Sequence, residues 1–220
     1  MYQLNWRPIW QNADLLWKGV LFGLGLAVLS LAIGSVIGMV GAFARVYGGR
    51  KTNTVVTAYT EFIRNIPLLL IVYFVFYGFG MMGMRLLDNV WSFIFSLSIY
   101  SGAYLIEVFR AGIMSVPAGL IEAGKAIGLT PIQVMRHITV PLTFRIVLPS
   151  LSNTFISLFK DTSLASAISV PELMYGAVVI NVNTWRVVEV YTAVAVLYLV
   201  VCYTLAGLLR LLERRFAMVK

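Results

Sequence analysis

Four stretches of this chain carry no charged side chain and are each long enough to cross a bilayer: Gly19 to Ala44, Ile66 to Met84, Asn89 to Ile106 and Val190 to Leu209. A spanning helix needs roughly 18 or more mostly apolar residues. Inside hydrocarbon every backbone N–H and C=O has to find a partner within the protein, so such runs fold as helices. With 60% hydrophobic and only 12% charged residues over 220 positions, an ordinary soluble domain is excluded. The expectation is an all-α, polytopic membrane protein with one transmembrane domain covering 1–220.

A further apolar run, Ile146 to Phe159, is short and stops at Lys160-Asp161. The basic residues argue for counting it as a span. With five spans and the N-terminus outside, Arg45, Arg50, Lys51, Arg110, Lys125, Arg136, Arg145, Arg210, Arg214, Arg215 and Lys220 all fall on the cytoplasmic side, 11 of the 17 Lys and Arg. Arg7, Lys18, Arg85 and Arg186 face the other side, and Arg64 and Lys160 lie near or in the membrane. This is the bias that sets topology, and four spans would put one basic cluster on the wrong side. The expected spans are roughly 16–44, 66–84, 89–109, 143–161 and 187–209, with a cytoplasmic loop at 111–142 and a cytoplasmic C-terminus. The net charge of +8 then reflects topology and contact with anionic lipid, and requires no nucleic acid.

The first residues, MYQLNWRPIWQNADLLWKG, lack the basic start and short apolar core of a removable signal peptide, whereas Trp6, Trp10 and Trp17 suit an interfacial anchor. In the first span Gly19, Gly23, Gly34, Gly38 and Ala42 recur at intervals of four, a stripe that admits close helix packing. Residues 52–65 read as an interfacial helical turn, with Pro67 at a helix start or kink. Glu61 with Arg64 and Glu107 with Arg110 stand three apart at the cytoplasmic edge and are expected to form structural or gating ion pairs. Thr162 to Trp185, interrupted by Pro171 and Gly176, is expected to be a re-entrant or interfacial element on the outer side. Asn181, Asn183, Arg186 and Glu189 make a polar group at the outer end of the fifth span, either solvated or touching an outer partner. Cys202 reads as a small apolar filler, and His137 has no metal-spaced neighbour, so no metal site is expected.

Gly119, Gly124 and Lys125 have the spacing of a phosphate-cradling loop, yet Ala126 replaces the Ser or Thr that would hold magnesium, and a membrane helix precedes it instead of a strand. The stretch reads instead as a short helix, Leu120 to Ile127, ended by Gly128, with a second helical segment starting at Thr130-Pro131 as N-cap and first residue. Leu120, Ile121, Ile127, Leu129, Ile132, Val134 and Met135 are more apolar than a free loop would expose, which implies a cytoplasmic partner protein.

EAGKAIGLTPIQVMRHITVP resembles the signature loop of binding-protein-dependent ABC importer permeases, E-A-A, three residues, G, nine residues, I-x-L-P. Glu122, Ala123, Gly128, Ile138 and Pro141 match, while Gly124 stands for the second Ala and Val140 for the Leu. FIRNIPLLL, YSGAYLIEVFRAGIMSVPAG and LSNTFISLFKDTSLASAISVPEL are similar to segments of the polar amino acid branch, of the histidine, glutamate and aspartate type. Gly23 departs from that branch, which often has Thr there. The resemblance implies a type I ABC importer permease fold in a bacterial inner membrane, multi-pass, with no catalytic residue or cofactor of its own. It implies a coupling helix, carrying Glu122, Ala123, Gly124 and Ala126 and closed by Gly128, seated in a separate ATPase subunit. A second permease subunit, the same or a paralogue, and a periplasmic amino-acid-binding protein complete the implied partners.

Lys160, Asp161, Thr162 and Ser163 are the candidate substrate-binding residues. Charges at membrane depth cost about 2.5–3.5 kcal/mol each on insertion scales, so they mark functional or paired positions. Neighbours on a helix diverge, and a local break there would free backbone groups for a ligand. A zwitterionic amino acid would set its carboxylate near Lys160 and its ammonium near Asp161, with Thr162 and Ser163 hydroxyls completing the cradle. The competing reading is that Lys160 and Asp161 pair with other spans or with the second permease. The rival function is an ion-gradient-driven secondary transporter of polar solutes.

Overall fold

The computed structural model describes residues 2–82 and 88–216, and these are helical with short connections. Arg85, Lys220 and the last two residues of the second expected span lie outside the described residues. A short α1 (Arg7–Gln11) leads into α2 (Ala13–Tyr47), followed by α3 (Arg50–Arg64). α4 (Leu68–Tyr73) continues through a π turn, Phe74–Gly78, into α5 (Phe79–Met81). α6 (Asn89–Met114) is followed by α7 (Ala118–Ala126) and α8 (Pro131–Val134). A second π turn, Met135–Thr139, joins α8 to α9 (Val140–Asp161), which runs on as a 3-10 helix, Thr162–Ile168. α10 (Leu173–Thr184) and α11 (Val187–Phe216) complete the described chain.

Among the described residues four helical stretches are long and apolar enough to cross a membrane: α2, α6, Pro131–Ile168 and the stretch Val187–Arg215. A fifth crossing arises if α3 and the Leu68–Met81 segment count as one span, although the two are bent by 101°. Residues 50–64 are therefore a full helix of about four turns, longer than the interfacial turn expected, because Arg50 to Arg64 contains no helix breaker. Pro67, which has no N–H to donate, sits extended at the start of α4 and fixes the bend there.

α2 and α6 form the rigid pair on which the rest is built. Small residues set their separation: a Cβ added at Gly38 would lie 2.6 Å from Leu105 Cβ, and one at Gly102 would lie 2.7 Å from Ile37 Cγ2. Without a hydrophobic drive between helices in lipid, such close backbone approach and dispersion hold a pair together. Leu97, Phe93, Phe159, Leu173, Ile180 and Val190 are fully or almost fully buried and bring α6, α9, α10 and α11 onto α2. Gly176 does not interrupt the chain as expected; it is an interior residue of α10, facing Leu15 and Leu16.

At the N-terminus, Tyr2 hydroxyl and Asn5 N–H donate to Glu189, and an Arg186 guanidinium N–H donates to Gln3 O at 2.8 Å. Glu189 has no exposed surface, so of the polar group expected at this end it is buried in an internal clasp that ties the first residues to the start of α11.

Candidate functional site

The break sought at Lys160–Ser163 is present. Asp161 is the last α-helical residue, and the next seven tighten into a 3-10 helix. Hydroxyls bonded back three residues accompany this tightening: Thr162 donates to Phe159 O and Ser166 to Ser163 O, both at 2.7 Å.

The four candidate residues do not share one environment. Thr162 is fully buried against α2, where a Cβ on Gly23 would lie 3.1 Å from its Oγ1. That contact gives the unexpected glycine at 23 a packing role opposite the helix break. Ser163 is half-buried and Lys160 is exposed. Asp161 alone of the four lines a cavity of about 290 Å³ between α6 and α9. Tyr100 and Tyr104 form one wall; Asn153, Ser157 and Asp161 form the other. The two tyrosine rings lie 5.0 Å apart with their hydroxyls 3.3 Å from each other, and the Arg64 guanidinium sits 5.0 Å from the centre of the Tyr104 ring.

This arrangement suits a small polar solute. A carboxylate, two phenols, a serine hydroxyl and a carboxamide converge on a space at the low end of the ~300–1,000 Å³ typical of ligand pockets. The carboxylate and amide oxygens accept hydrogen bonds from an ammonium, and the phenols and amide N–H donate to a carboxylate. Tyr100, Tyr104, Asn153 and Ser157 were not singled out from the sequence, because each is a lone polar or aromatic residue in an apolar run. The spacing of Asn153, Ser157 and Asp161, four apart along one helix face, is the signal that could have found them.

The expected ion pairs divide as well. Glu107 receives Arg110 at 2.9 Å and also Arg45 from α2, whose Nε donates to Asn53 Oδ1 of α3 at 3.3 Å, so one carboxylate ties three helices. Glu61 and Arg64 form no ion pair: Glu61 points to the exterior, and Arg64 is drawn over the electron-rich face of Tyr104. The pairing expected from their spacing is corrected accordingly.

The signature loop folds as a tight unit. α7 ends at Ala126, and Gly128 takes φ +85°, a left-handed conformation in which a side chain would be strained. Thr130 and Gln133 form a reciprocal capping box at the start of α8. The second segment is thus not a separate surface helix; it opens the long helical stretch that contains α9. Gly124 faces inward onto Ile138, whereas Glu122, Ala123, Lys125 and Ala126 are exposed. Ile127 and Ile132, 79% and 72% exposed, add apolar surface beside them, and Pro141 lies exposed in the first turn of α9. No group of three metal-ligating side chains exists among the described residues, and His137 Nδ1 is 2.9 Å from Gln133 O.

Residues 31–218 match the family model described as the binding-protein-dependent transport system inner membrane component. The glutamine transport system permease protein GlnP of Escherichia coli (strain K12) is 38% identical over 214 residues, covering 97% of this chain and 98% of that protein. The L-cystine transport system permease protein TcyB of Bacillus subtilis (strain 168) is 37% identical over 198 residues, covering 90% and 84%. Among solved structures, an amino acid ABC transporter crystallised with histidines superposes with a TM-score of 0.87 at 30% identity, covering 97% of this chain and all of that one. An inward-facing methionine ABC transporter, MetNI, shares the fold at a TM-score of 0.77 and 21% identity, covering 93% and 97%. The chain therefore belongs to the binding-protein-dependent transport system inner membrane components, the permease subunits of ABC importers, whose ATPase is a separate subunit.

Proposed function

We propose that this chain is the permease subunit of an ATP-driven amino acid importer and that its substrate is held in the cavity walled by Tyr100, Tyr104, Asn153, Ser157 and Asp161. The observation that carries the reading is the position of Asp161: a carboxylate at the end of a spanning helix, turned into a solute-sized space. A zwitterion there sets its ammonium against Asp161 and its carboxylate toward hydroxyl and amide donors. The glutamine and L-cystine permeases and the amino acid ABC transporter crystallised with histidines support amino acids as the substrate class. Thr162 and Ser163 hold the helix break that aims Asp161.

In this reading the chain crosses the inner membrane five times, at about 16–44, 66–84, 89–109, 143–161 and 187–209. Its N-terminus is periplasmic, and the loop 111–142 and the C-terminus are cytoplasmic. α7 docks into a separate ATPase through Glu122, Ala123, Ala126 and Ile127, with Gly124 and Ile138 holding the docking helix to the root of α9. Closure of the ATPase pair moves α7 and, through Ile138 and Pro141, tilts α9 as a rigid lever between inward-open and outward-open states. A second permease subunit and a periplasmic amino-acid-binding protein complete the importer.

The test is substrate-dependent ATP hydrolysis by the assembled complex carrying Asp161→Asn. Losing a charge-assisted contact to an ammonium raises the half-saturating amino acid concentration by about tenfold or more. An unchanged value would remove Asp161 from the substrate site.

A further inference from the structure

A groove of about 430 Å³ runs between α2 and α3 over α6. Val36 and Val40 of α2 and Val55 and Tyr59 of α3 form its flanks, and Gly41 and Ile106 form its floor. The three valines are 64–69% exposed. The one polar side-chain atom of the lining is turned away, since the Tyr59 hydroxyl donates to Ile99 O at 2.6 Å. The groove therefore gives a solute nothing to hydrogen-bond and suits hydrocarbon.

Its depth and direction fit a lipid chain. Gly41 and Val36 lie about 9 and 16 Å along α2 from its end at Tyr47, a range comparable to the ~15 Å of hydrocarbon in one leaflet. On α3, Val55 and Arg64 point about 180° apart. Arg64 reaches Tyr104 on the cavity wall, so the groove opens on the other side of α3, away from the solute path proposed above.

Positive charge collects at its mouth. Lys51 precedes Val55 by one turn on the same face of α3, about 6 Å nearer the helix start. Arg50 stands beside it; both are exposed, and neither forms an ion pair among the described residues. Arg45 and Arg110 already share Glu107, so the ends of α2 and α6 and the start of α3 gather four cations around one carboxylate. Such an excess above an apolar groove is complementary to an anionic headgroup joined to an acyl chain. A headgroup without net charge leaves the cations unmatched, and a free phosphate leaves the groove unfilled.

We propose that this groove is a binding site for an anionic phospholipid, with one acyl chain laid between α2 and α3 and the phosphate held by Lys51 and Arg50. That the lipid belongs to the cytoplasmic leaflet rests on the topology proposed above; the groove and its cations do not.

The test is photolabelling of the assembled importer in vesicles carrying phosphatidylglycerol or phosphatidylcholine with the same diazirine-bearing acyl chain. Adducts should concentrate on residues 36–41 and 55–59, about tenfold more from phosphatidylglycerol than from phosphatidylcholine. The exposed Val200 of α11 should show no such preference. Arg50→Gln together with Lys51→Gln should bring the two probes level in the groove. Val55→Trp, which fills it from an exposed position, should lower labelling by both probes to that of Val200. Equal labelling by the two headgroups in the wild type, or a preference that survives the double substitution, overturns the proposal. So does wild-type groove labelling no stronger than at Val200, the result expected where another subunit covers this face. Both leaflets carry the probe, so an inverted topology leaves the labelling as predicted; it is read separately, from the side on which Lys51→Cys, in a Cys202→Ser background, meets a membrane-impermeant maleimide.

Discussion

Gly124 packs directly onto Ile138: a Cβ at 124 would stand 2.6 Å from Ile138 Cδ1 and 3.4 Å from Val134 Cγ2. The two halves of the signature loop, on either side of the Gly128 turn, are thus one packed unit, and the departure from alanine at 124 sits at their contact. Because the obstacle is the tip of a flexible side chain, Gly124→Ala should be absorbed by a small rotation of Ile138. Gly124→Leu should not: it pries α7 from the root of α9 at a cost of about 1–3 kcal/mol. Copurification of the ATPase subunit with each variant measures this, with Ala near wild type and Leu strongly reduced.

Gly19 meets backbone, which cannot rotate away. A Cβ there would lie 2.8 Å from Glu172 C and from Leu173 N and Cα. Gly19→Ala therefore has to part α2 from the start of α10 and should destabilise by about 1–3 kcal/mol. Gly25, with nothing within 4 Å of its added Cβ, is the control: Gly25→Ala should be neutral or stabilising by up to about 1 kcal/mol through helix propensity. Thermal unfolding of the two variants in the same detergent separates these outcomes.

Glu107 is the common acceptor for Arg45 and Arg110 at the end of α2 and α6 distant from Trp17. Glu107→Gln leaves both guanidiniums without a carboxylate, and Arg45 is largely buried, so a loss of about 1–3 kcal/mol is expected. Arg110→Ala leaves the Arg45 pair in place and should cost less. A double-mutant cycle on melting temperature between Arg45→Ala and Glu107→Gln reads the coupling.

The long apolar helices, the break at residue 161 and the turn at Gly128 were legible in the sequence because each rests on local chemistry: charge-free length, charges in succession, and a glycine followed by Thr-Pro. The Asp161 cavity was half legible. The residues that carry charge pointed to the site, but helix phase separated Lys160 from Asp161 and brought in Tyr100 and Tyr104 from α6, a tertiary contact that no spacing within one helix reveals. Arg64 illustrates the same limit. Its spacing offered Glu61, while the fold offered Tyr104. The clasp from Tyr2 and Asn5 to Glu189 joins residues more than 180 apart and has no local signature.

Uptake into proteoliposomes tests the central claim most directly. Vesicles containing the permease, its ATPase subunit and the binding protein should accumulate a labelled amino acid only with ATP on the side of α7, and omission of the ATPase subunit should abolish uptake. Accumulation that survives without that subunit and follows an imposed ion gradient would contradict the account.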